Sequence, residues 1–330
     1  MYSDEDIDSA VAAGAISYAA ATAFREYVSG LRRTAAVDEE HFRLVSSFND
    51  IFVVIASSLL LASVAWIGSA AAPWIGALVT CGIAWALAEF FVRKRHMALP
   101  AIVLLVAFVG GSFLACLWYL GEDRFGISIA STIGALAAWV HWRRFHVPIT
   151  VAAGTAAVVG ALIASVISIV PAAKTWFSPM LFLAGVATFI WALSWDASDA
   201  KRLTRRSDVA FWLHLLAAPL LVHPVFKSLG MFSGDTNVIQ TLSIATLYIG
   251  IALLSLVIDR RALMVSALGY VLYAFTALLK QAGFVSLSFA ITALTIGSAL
   301  LVLSAFWHKS RGFAVRRLPT AIQARLASLH

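Results

Sequence analysis

The feature that most constrains this chain is the alternation of long apolar runs with short connections rich in arginine and lysine. One such connection, Arg93-Lys-Arg-His96, has a long apolar run on each side. A helix of about 20 apolar residues crosses the hydrocarbon layer of a membrane. Apolar residues make up 61% of the chain and charged residues 12%, whereas soluble domains are roughly 45–50% apolar and about 25% charged. The sequence therefore predicts an all-α fold, a polytopic bundle of transmembrane helices.

The apolar runs predict ten spans joined by short connections. Their approximate bounds are 51–70, 73–92, 99–120, 125–142, 148–170, 177–195, 209–226, 237–258, 262–280 and 284–307. This divides the chain into a cytosolic helical hairpin and lead-in at 1–48, a transmembrane domain at 49–308 and a basic amphipathic cytosolic tail at 309–330. In the hairpin, Gly14 is expected to end the first helix and Ser17 to cap the second, because these residue types favour helix ends and starts.

The distribution of basic residues predicts which ends of the spans face the cytoplasm. Of the 24 lysines and arginines, all but four lie in the N-terminal segment, the even-numbered connections and the tail. The exceptions are Arg124, Lys174, Lys227 and Lys280. Cytoplasmic connections carry an excess of lysine and arginine. The pattern predicts a multi-pass membrane protein with both termini in the cytoplasm. Because it accounts for the net charge of +7, nucleic acid is not an expected partner.

Four side chains are low-ranked candidates for a pathway through the membrane. Glu89 precedes Arg93 by four residues, so the two share a helical face, and an interfacial ion pair is favoured over a proton or cation site. His214 and His223 share the seventh span and lie nine residues apart, which is about 180° around a straight helix. They are not expected to ligate one metal unless Pro219 bends the helix sharply, and local hydrogen bonding is the expected role of each.

Two further patterns concern the fourth and fifth spans. His141 and His146 flank a pair of arginines, so both are expected at the cytoplasmic surface, either as part of an ordinary basic turn or against lipid phosphate. Small residues recur at every fourth position in both spans, which predicts close helix packing. The two rows are Gly126, Ala130, Gly134 and Ala138, and Ala152, Ala156, Gly160 and Ala164.

The sequence contains no nucleotide-binding loop, HExxH, GxSxG or acidic metal cluster, so no catalytic residue, cofactor or metal is predicted and an enzyme is the least favoured class. Two function classes remain: a carrier of a small neutral or lipid-like solute, and a non-catalytic membrane scaffold or regulatory protein. A water-lined cavity at mid-membrane would favour the carrier, and a solid bundle with an exposed groove would favour the scaffold. The expected partners are membrane lipids, anionic headgroups at the cytoplasmic face and a protein bound by the N-terminal hairpin.

The N-terminal fifth of the chain resembles a known family. The segment Ala10–Ser17, together with His41–Asp50 leading into the first span, is similar to an uncharacterised bacterial family of polytopic membrane proteins, a domain of unknown function with a short N-terminal cytosolic helical hairpin. The resemblance implies an inner-membrane location and a hairpin followed by many spans. It implies no activity and no catalytic residue.

Overall fold

The computed structural model describes residues 4–24, 48–199, 204–230, 238–260, 262–281 and 287–317, and regular structure in these ranges is helical, without strands. The predicted all-α fold class is confirmed. Residues 18–24 are helical, and a 3-10 helix at Pro171–Trp176 precedes α7. The other helices are α1 (Asp4–Ala12), α2 (Phe48–Ser69), α3 (Pro73–Phe91), α4 (Ala98–Leu120), α5 (Arg124–Phe145), α6 (Ile149–Ile169), α7 (Phe177–Ala197), α8 (Arg205–Ser228), α9 (Val238–Ile258), α10 (Ala262–Gln281), α11 (Ser288–Ala305) and α12 (Trp307–Val315).

Eight helices of the described ranges are long and apolar enough to cross a membrane, namely α2–α6, α7 with its preceding 3-10 turn, α8 and α11. This is the architecture of a multi-pass membrane helix bundle. Helices α9 and α10 are 21 and 20 residues long, but their described apolar stretches, Leu242–Ile258 and Ala267–Ala277, are shorter than a full span.

Three turns in the described ranges place a non-glycine residue in the left-handed region: His96 (φ 53°), His146 (φ 52°) and Asp259 (φ 62°). This backbone is uncommon for residues with a Cβ. Each turn follows the end of a helix, and the residue after the left-handed one is buried in all three cases. These buried residues are Met97, Val147 and Arg260. In each turn the left-handed residue therefore directly precedes a side chain that returns into the bundle.

Contacts between helix ends define one face of the bundle, which we name the basic end. Arg144 near the end of α5 pairs with Glu89 near the end of α3, and Arg260 after α9 pairs with Asp196 near the end of α7. Trp142 of α5 and Trp195 of α7 pack on the same buried cluster as the first turns of α8. The C-terminal ends of α3, α5, α7 and α9 therefore lie together, as the alternation of basic connections predicts.

Small residues of α5 and α6 meet at the contact between the two helices, although Ala156 of the predicted α6 row is exposed. A Cβ added at Gly134 would lie 3.7 Å from the Ala157 Cβ, and one at Gly160 would lie 3.4 Å from the Ser131 Oγ. The Ser128 and Ser165 hydroxyls are 2.6 Å apart across the same interface. Backbones approach this closely only where side chains are small, so the predicted close packing of these two helices is confirmed.

The described residues of the N-terminal segment, 4–24, belong to a compact unit of their own. Gly14, with φ 69°, follows α1, and the Ser17 Oγ accepts a hydrogen bond from the Ala20 N–H at 3.1 Å. Both end signals lie where the sequence predicts them. The rest of the predicted hairpin lies outside the described residues, as does the tail beyond residue 317, so the hairpin as a whole stays a prediction.

Candidate functional site

Helix α8 is the most enclosed of the candidate spans. Half of its most apolar 18-residue window is buried, against 11–33% for the other seven spans. It contacts α6, α7 and α10, and its interior contains Pro219 and Pro224 together with His214 and His223. Polar residues and prolines are costly inside a membrane helix unless neighbouring elements satisfy them. The candidate site is therefore built along α8.

At the basic end, a buried ionic cluster joins α7, α8 and the turn after α9. The Asp196 carboxylate accepts hydrogen bonds from the Arg260 guanidinium (Nη2–Oδ1 2.5 Å, Nε–Oδ2 3.4 Å) and lies 2.8 Å from the His214 Nε2. The Arg260 Nη2 also donates to the carbonyl and hydroxyl oxygens of Ser207 at 3.2 and 3.3 Å. The Arg260 and His214 side chains are 1% and 0% exposed, and the Asp196 side chain is 17% exposed. We name these four residues the Asp196 cluster.

The imidazole of His214 has a defined orientation in this cluster. Its Nε2 faces the carboxylate of Asp196, and its ring packs edge-on against Phe189 with centroids 5.3 Å apart. Its Nδ1 is buried and has no hydrogen-bond partner among the described residues. Because a carboxylate accepts and does not donate, the Nε2 of His214 is the donor in this contact.

A second buried cluster begins at the neighbouring residue of the same turn. Asp259 accepts a hydrogen bond from the Trp307 indole N–H at 2.8 Å and pairs with the Arg311 Nε at 3.6 Å. Both partners belong to α12, and all three side chains are buried. Asp259 and Arg260 therefore point to different partners, and one turn connects α12 to the Asp196 cluster.

The middle of α8 is interrupted by its two prolines. Pro219 and Pro224 lack a backbone N–H, so the carbonyls four residues earlier, including that of Leu220, lose their helical donor. Helix α7 approaches this segment through Gly185, where an added Cβ would lie 2.9 Å from the Leu220 carbonyl carbon and the Leu221 nitrogen. The α7 backbone therefore packs directly on the part of α8 whose hydrogen-bond ladder is weakest.

On either side of Pro224, α8 carries a polar pair at His223 and an apolar cleft that begins at Val225. The His223 Nδ1 lies 2.9 Å from the Tyr270 hydroxyl of α10, and the Tyr270 ring stacks on Phe226 with centroids 4.8 Å apart. A cleft of about 550 Å³ lies between α8 and α9. It is lined by Val225, Leu229, Ile239, Leu242, Ser243, Thr246 and Leu247.

The surface of this cleft, which we name the α8–α9 cleft, is apolar. Its two hydroxyl groups, on Ser243 and Thr246, donate to carbonyls of their own helix at 2.9 and 2.8 Å. Ile239 and Leu242 are 75% and 60% exposed, so the cleft opens sideways from the bundle. A volume of about 550 Å³ lies within the range of about 300–1,000 Å³ that small-molecule sites occupy.

The structure separates the four pathway candidates into three locations. The predicted ion pair between Glu89 and Arg93 is present at 3.3 Å, but the closer partner of Glu89 is Arg144, which donates two hydrogen bonds at 2.6 and 3.0 Å. His214 belongs to the Asp196 cluster, and His223 binds a tyrosine hydroxyl on α10. The two histidines therefore bind different partners, and each forms a hydrogen bond with a neighbouring helix, His214 with α7 and His223 with α10.

The predicted surface position of His141 is wrong. The His141 side chain is fully buried, its Nδ1 lies 3.2 Å from the Thr150 Oγ1, and rings of its own helix and of two neighbouring helices surround it. The nearest are Phe145 at 4.6 Å, Phe108 at 5.9 Å and Trp85 at 6.4 Å between centroids. His146, by contrast, is exposed in its turn.

The sequence prediction missed Asp196, Ser207 and Arg260. The predicted sixth span ends at residue 195, one residue before Asp196, and Arg260 was counted only as part of a basic connection. One sequence feature indicates this cluster. Asp196 directly follows an apolar run, and His214 lies inside the next span near the same end of the bundle.

Among the described residues, no group of three or more His, Cys, Asp and Glu side chains is arranged to hold a metal ion. Neither the protein-family models, nor the curated proteins, nor the solved structures contain a match to this chain.

Proposed function

We propose that this protein is a carrier that moves a lipid-like or small neutral molecule within or across the bacterial inner membrane, with α8 as its moving element. The observation that carries the proposal is the α8–α9 cleft, which opens sideways from a helix long and apolar enough to span the membrane. An apolar ligand could enter such a cleft from the lipid phase without crossing water. An anion or a sugar would find no free hydrogen-bond donor on the two hydroxyl side chains that line it, because both donate to carbonyls of their own helix.

The construction of α8 supports a moving role. Helices interrupted by proline or glycine mark the binding regions of many transporters, because the interrupted backbone can change its angle. The cleft begins at Val225, one residue after Pro224. The Asp196 cluster holds the start of α8 at the basic end. We infer that the half of α8 beyond the prolines moves relative to this fixed start.

Ten spans and cytoplasmic termini form part of the same proposal. The start of α9 lines the cleft beside Leu229, near the end of α8, whereas the turn after α9 pairs with Asp196 at the basic end. Contacts at both of its ends support α9 as a span. The family resemblance supports the inner membrane and the N-terminal hairpin. Labelling of cysteines introduced at Lys94 and Lys309 from one side only, and at Lys174 from the other side only, would test this topology.

The carrier proposal is tested with purified protein in proteoliposomes that contain a photoreactive phosphatidylcholine and a fluorescent phosphatidylcholine. Leu242→Trp should narrow the cleft and reduce crosslinking of the photoreactive lipid to α9 by about tenfold, which corresponds to a loss of about 1.4 kcal/mol of binding free energy. It should reduce protein-dependent movement of the fluorescent lipid between leaflets in parallel. Leu294→Trp is the matched control, because Leu294 is 71% exposed on α11, away from the cleft.

The outcomes separate the two function classes. Equal loss with both tryptophans, or no crosslink to α9 in the parent protein, would overturn the proposed site. Crosslinking without lipid movement would favour the scaffold alternative. That alternative is supported by the buried ion pairs that tie α7, α8, α9 and α12 together, because a rigid bundle with a lateral cleft also suits a protein partner's helix.

A further inference from the structure

Helix α12 lies at the boundary of the membrane. It begins at Trp307, two residues after the candidate span α11 ends at Ala305, and it packs against α9. A helix joined this closely to the end of a span lies near the headgroup layer. Its nine residues separate into a buried face and an exposed face.

The buried face attaches α12 to the bundle. Trp307, Arg311 and Val315 recur at every fourth position and are 1–3% exposed, so they form one stripe. Trp307 packs with Leu256 and Met264 of α9 and α10. Its indole N–H and the Arg311 guanidinium both contact Asp259.

The exposed face combines aromatic rings with cations. Phe306 directly before α12 and Phe313 within it are seven residues apart and therefore on the same side, and they are 52% and 62% exposed; Arg316 and Arg317 follow the end of the helix. The Lys309 ammonium lies 5.7 Å from the Phe306 ring centroid, and the Arg317 guanidinium lies 3.9 Å from that of Phe313. Arg316 is also exposed. No acidic residue lies between 306 and 317, so this face is uniformly positive.

We propose that the exposed face of α12 is a docking surface for anionic phospholipid headgroups. Aromatic rings at the level of the headgroups bury apolar area there, and each nearby lysine or arginine adds attraction to an anionic leaflet. Each exposed ring lies next to a cation. This arrangement suits the membrane interface, where a ring contacts the apolar layer and a cation contacts the anionic headgroups. A protein partner would need a strip of acidic and apolar residues at the same membrane depth as α12. Phospholipid, by contrast, surrounds α11 wherever this helix spans the membrane.

The docking surface is connected to the Asp196 cluster by two consecutive residues of one turn. The buried face of α12 holds Asp259, and the next residue, Arg260, holds Asp196. An anionic leaflet would therefore fix the turn that anchors the start of α8. This regulatory consequence rests on the proposed role of α8 in a carrier, whereas the docking itself does not.

The test uses the full chain with Cys81 and Cys116 replaced by alanine and a spin label on Ser310→Cys, beside Lys309. The protein is reconstituted in phosphatidylcholine and in an equal mixture of phosphatidylcholine and phosphatidylglycerol. The label should be less accessible to a water-soluble nickel chelate in the anionic mixture than in phosphatidylcholine, and high salt should reduce this difference. Inorganic phosphate added to phosphatidylcholine vesicles should have no such effect, which separates a lipid headgroup from free phosphate.

Charge-removing variants complete the test. Lys309→Gln with Arg317→Gln should abolish the difference between the two lipid mixtures. Lys174→Gln with Lys227→Gln is the matched control, since both lysines are exposed at the opposite end of the bundle, and it should leave the difference intact. Equal accessibility in both mixtures, an equal loss in the control, or reproduction of the effect by inorganic phosphate would overturn the proposal. If the anionic lipid protects the spin label from the nickel chelate but the carrier assay shows no lipid movement, the docking surface is supported and only its link to transport is rejected.

Discussion

Replacing Asp196 by asparagine should destabilise the bundle by about 3 kcal/mol, the lower end of the range of about 3–5 kcal/mol for breaking a buried ion pair. The substitution keeps the shape of the side chain but leaves the Arg260 guanidinium, which is 1% exposed, without a counter-charge. Two features place the cost at the lower end. The Asp196 side chain is itself 17% exposed, so water can partly replace it, and Ser207 still accepts two hydrogen bonds from Arg260.

The free energy is measured by reversible unfolding of the purified protein in mixed detergent micelles as the fraction of SDS rises, with helical circular dichroism as the signal. Glu89→Gln is the matched control because it removes a carboxylate from the other cross-helix ion pair at the basic end. That pair is 29% and 41% exposed, and solvent-exposed ion pairs contribute little. The control should therefore shift the unfolding curve far less than Asp196→Asn does.

A second variant tests the physical cause of the loss. Adding Arg260→Met to Asp196→Asn removes the unpaired buried charge, and the asparagine oxygen can still accept from the His214 Nε2. Replacing both members of a buried pair is often close to neutral, so the double variant should recover most of the lost stability. The reasoning is refuted if Asp196→Asn unfolds like Glu89→Gln, or if the double variant is less stable than Asp196→Asn alone.

Two further substitutions test the middle and the far half of α8. Gly185→Leu should cost about 1–3 kcal/mol, because its side chain would meet the α8 backbone, and Gly250→Leu, where a Cβ meets open space, should unfold like the parent in the same SDS titration. His223→Phe should cost about 0.6 kcal/mol and no more than about 1.7 kcal/mol, the range for single hydrogen bonds between membrane helices. A larger loss would mean that His223 supports more than its bond to Tyr270.

The sequence is sufficient for the features that depend on local pattern. Span ends follow from where apolar runs stop, and Gly14 and Ser17 act through their own backbone and side-chain chemistry. The packing of α5 on α6 is also predictable, since Gly134 and Gly160 leave room on the two faces that meet. In each case the physical cause lies within one helix or between two consecutive helices.

The sequence is insufficient where distant segments meet. Asp196 and Arg260 are 64 residues apart, and nothing in the local pattern of either residue indicates the other. His141 has the same difficulty. Its neighbouring arginines predict a surface position, but Trp85 and Phe108 from α3 and α4 close over its ring. Whether a residue at a helix end is buried depends on which helices from distant parts of the sequence pack against it.

The turn at Asp259 and Arg260 shows why the basic end is more than a row of surface charges. Left-handed backbone at a residue with a Cβ costs on the order of 1–3 kcal/mol, so it persists only where surrounding contacts outweigh that cost. At His96 and His146 the compensating contact is the burial of one apolar side chain, Met97 or Val147. At Asp259 both residues are charged and buried, and they pair with different elements, Asp259 with α12 and Arg260 with α7 and α8. Release of either element therefore breaks polar contacts of a buried side chain and removes part of what holds the turn, so α12 and the start of α8 should lose their positions together.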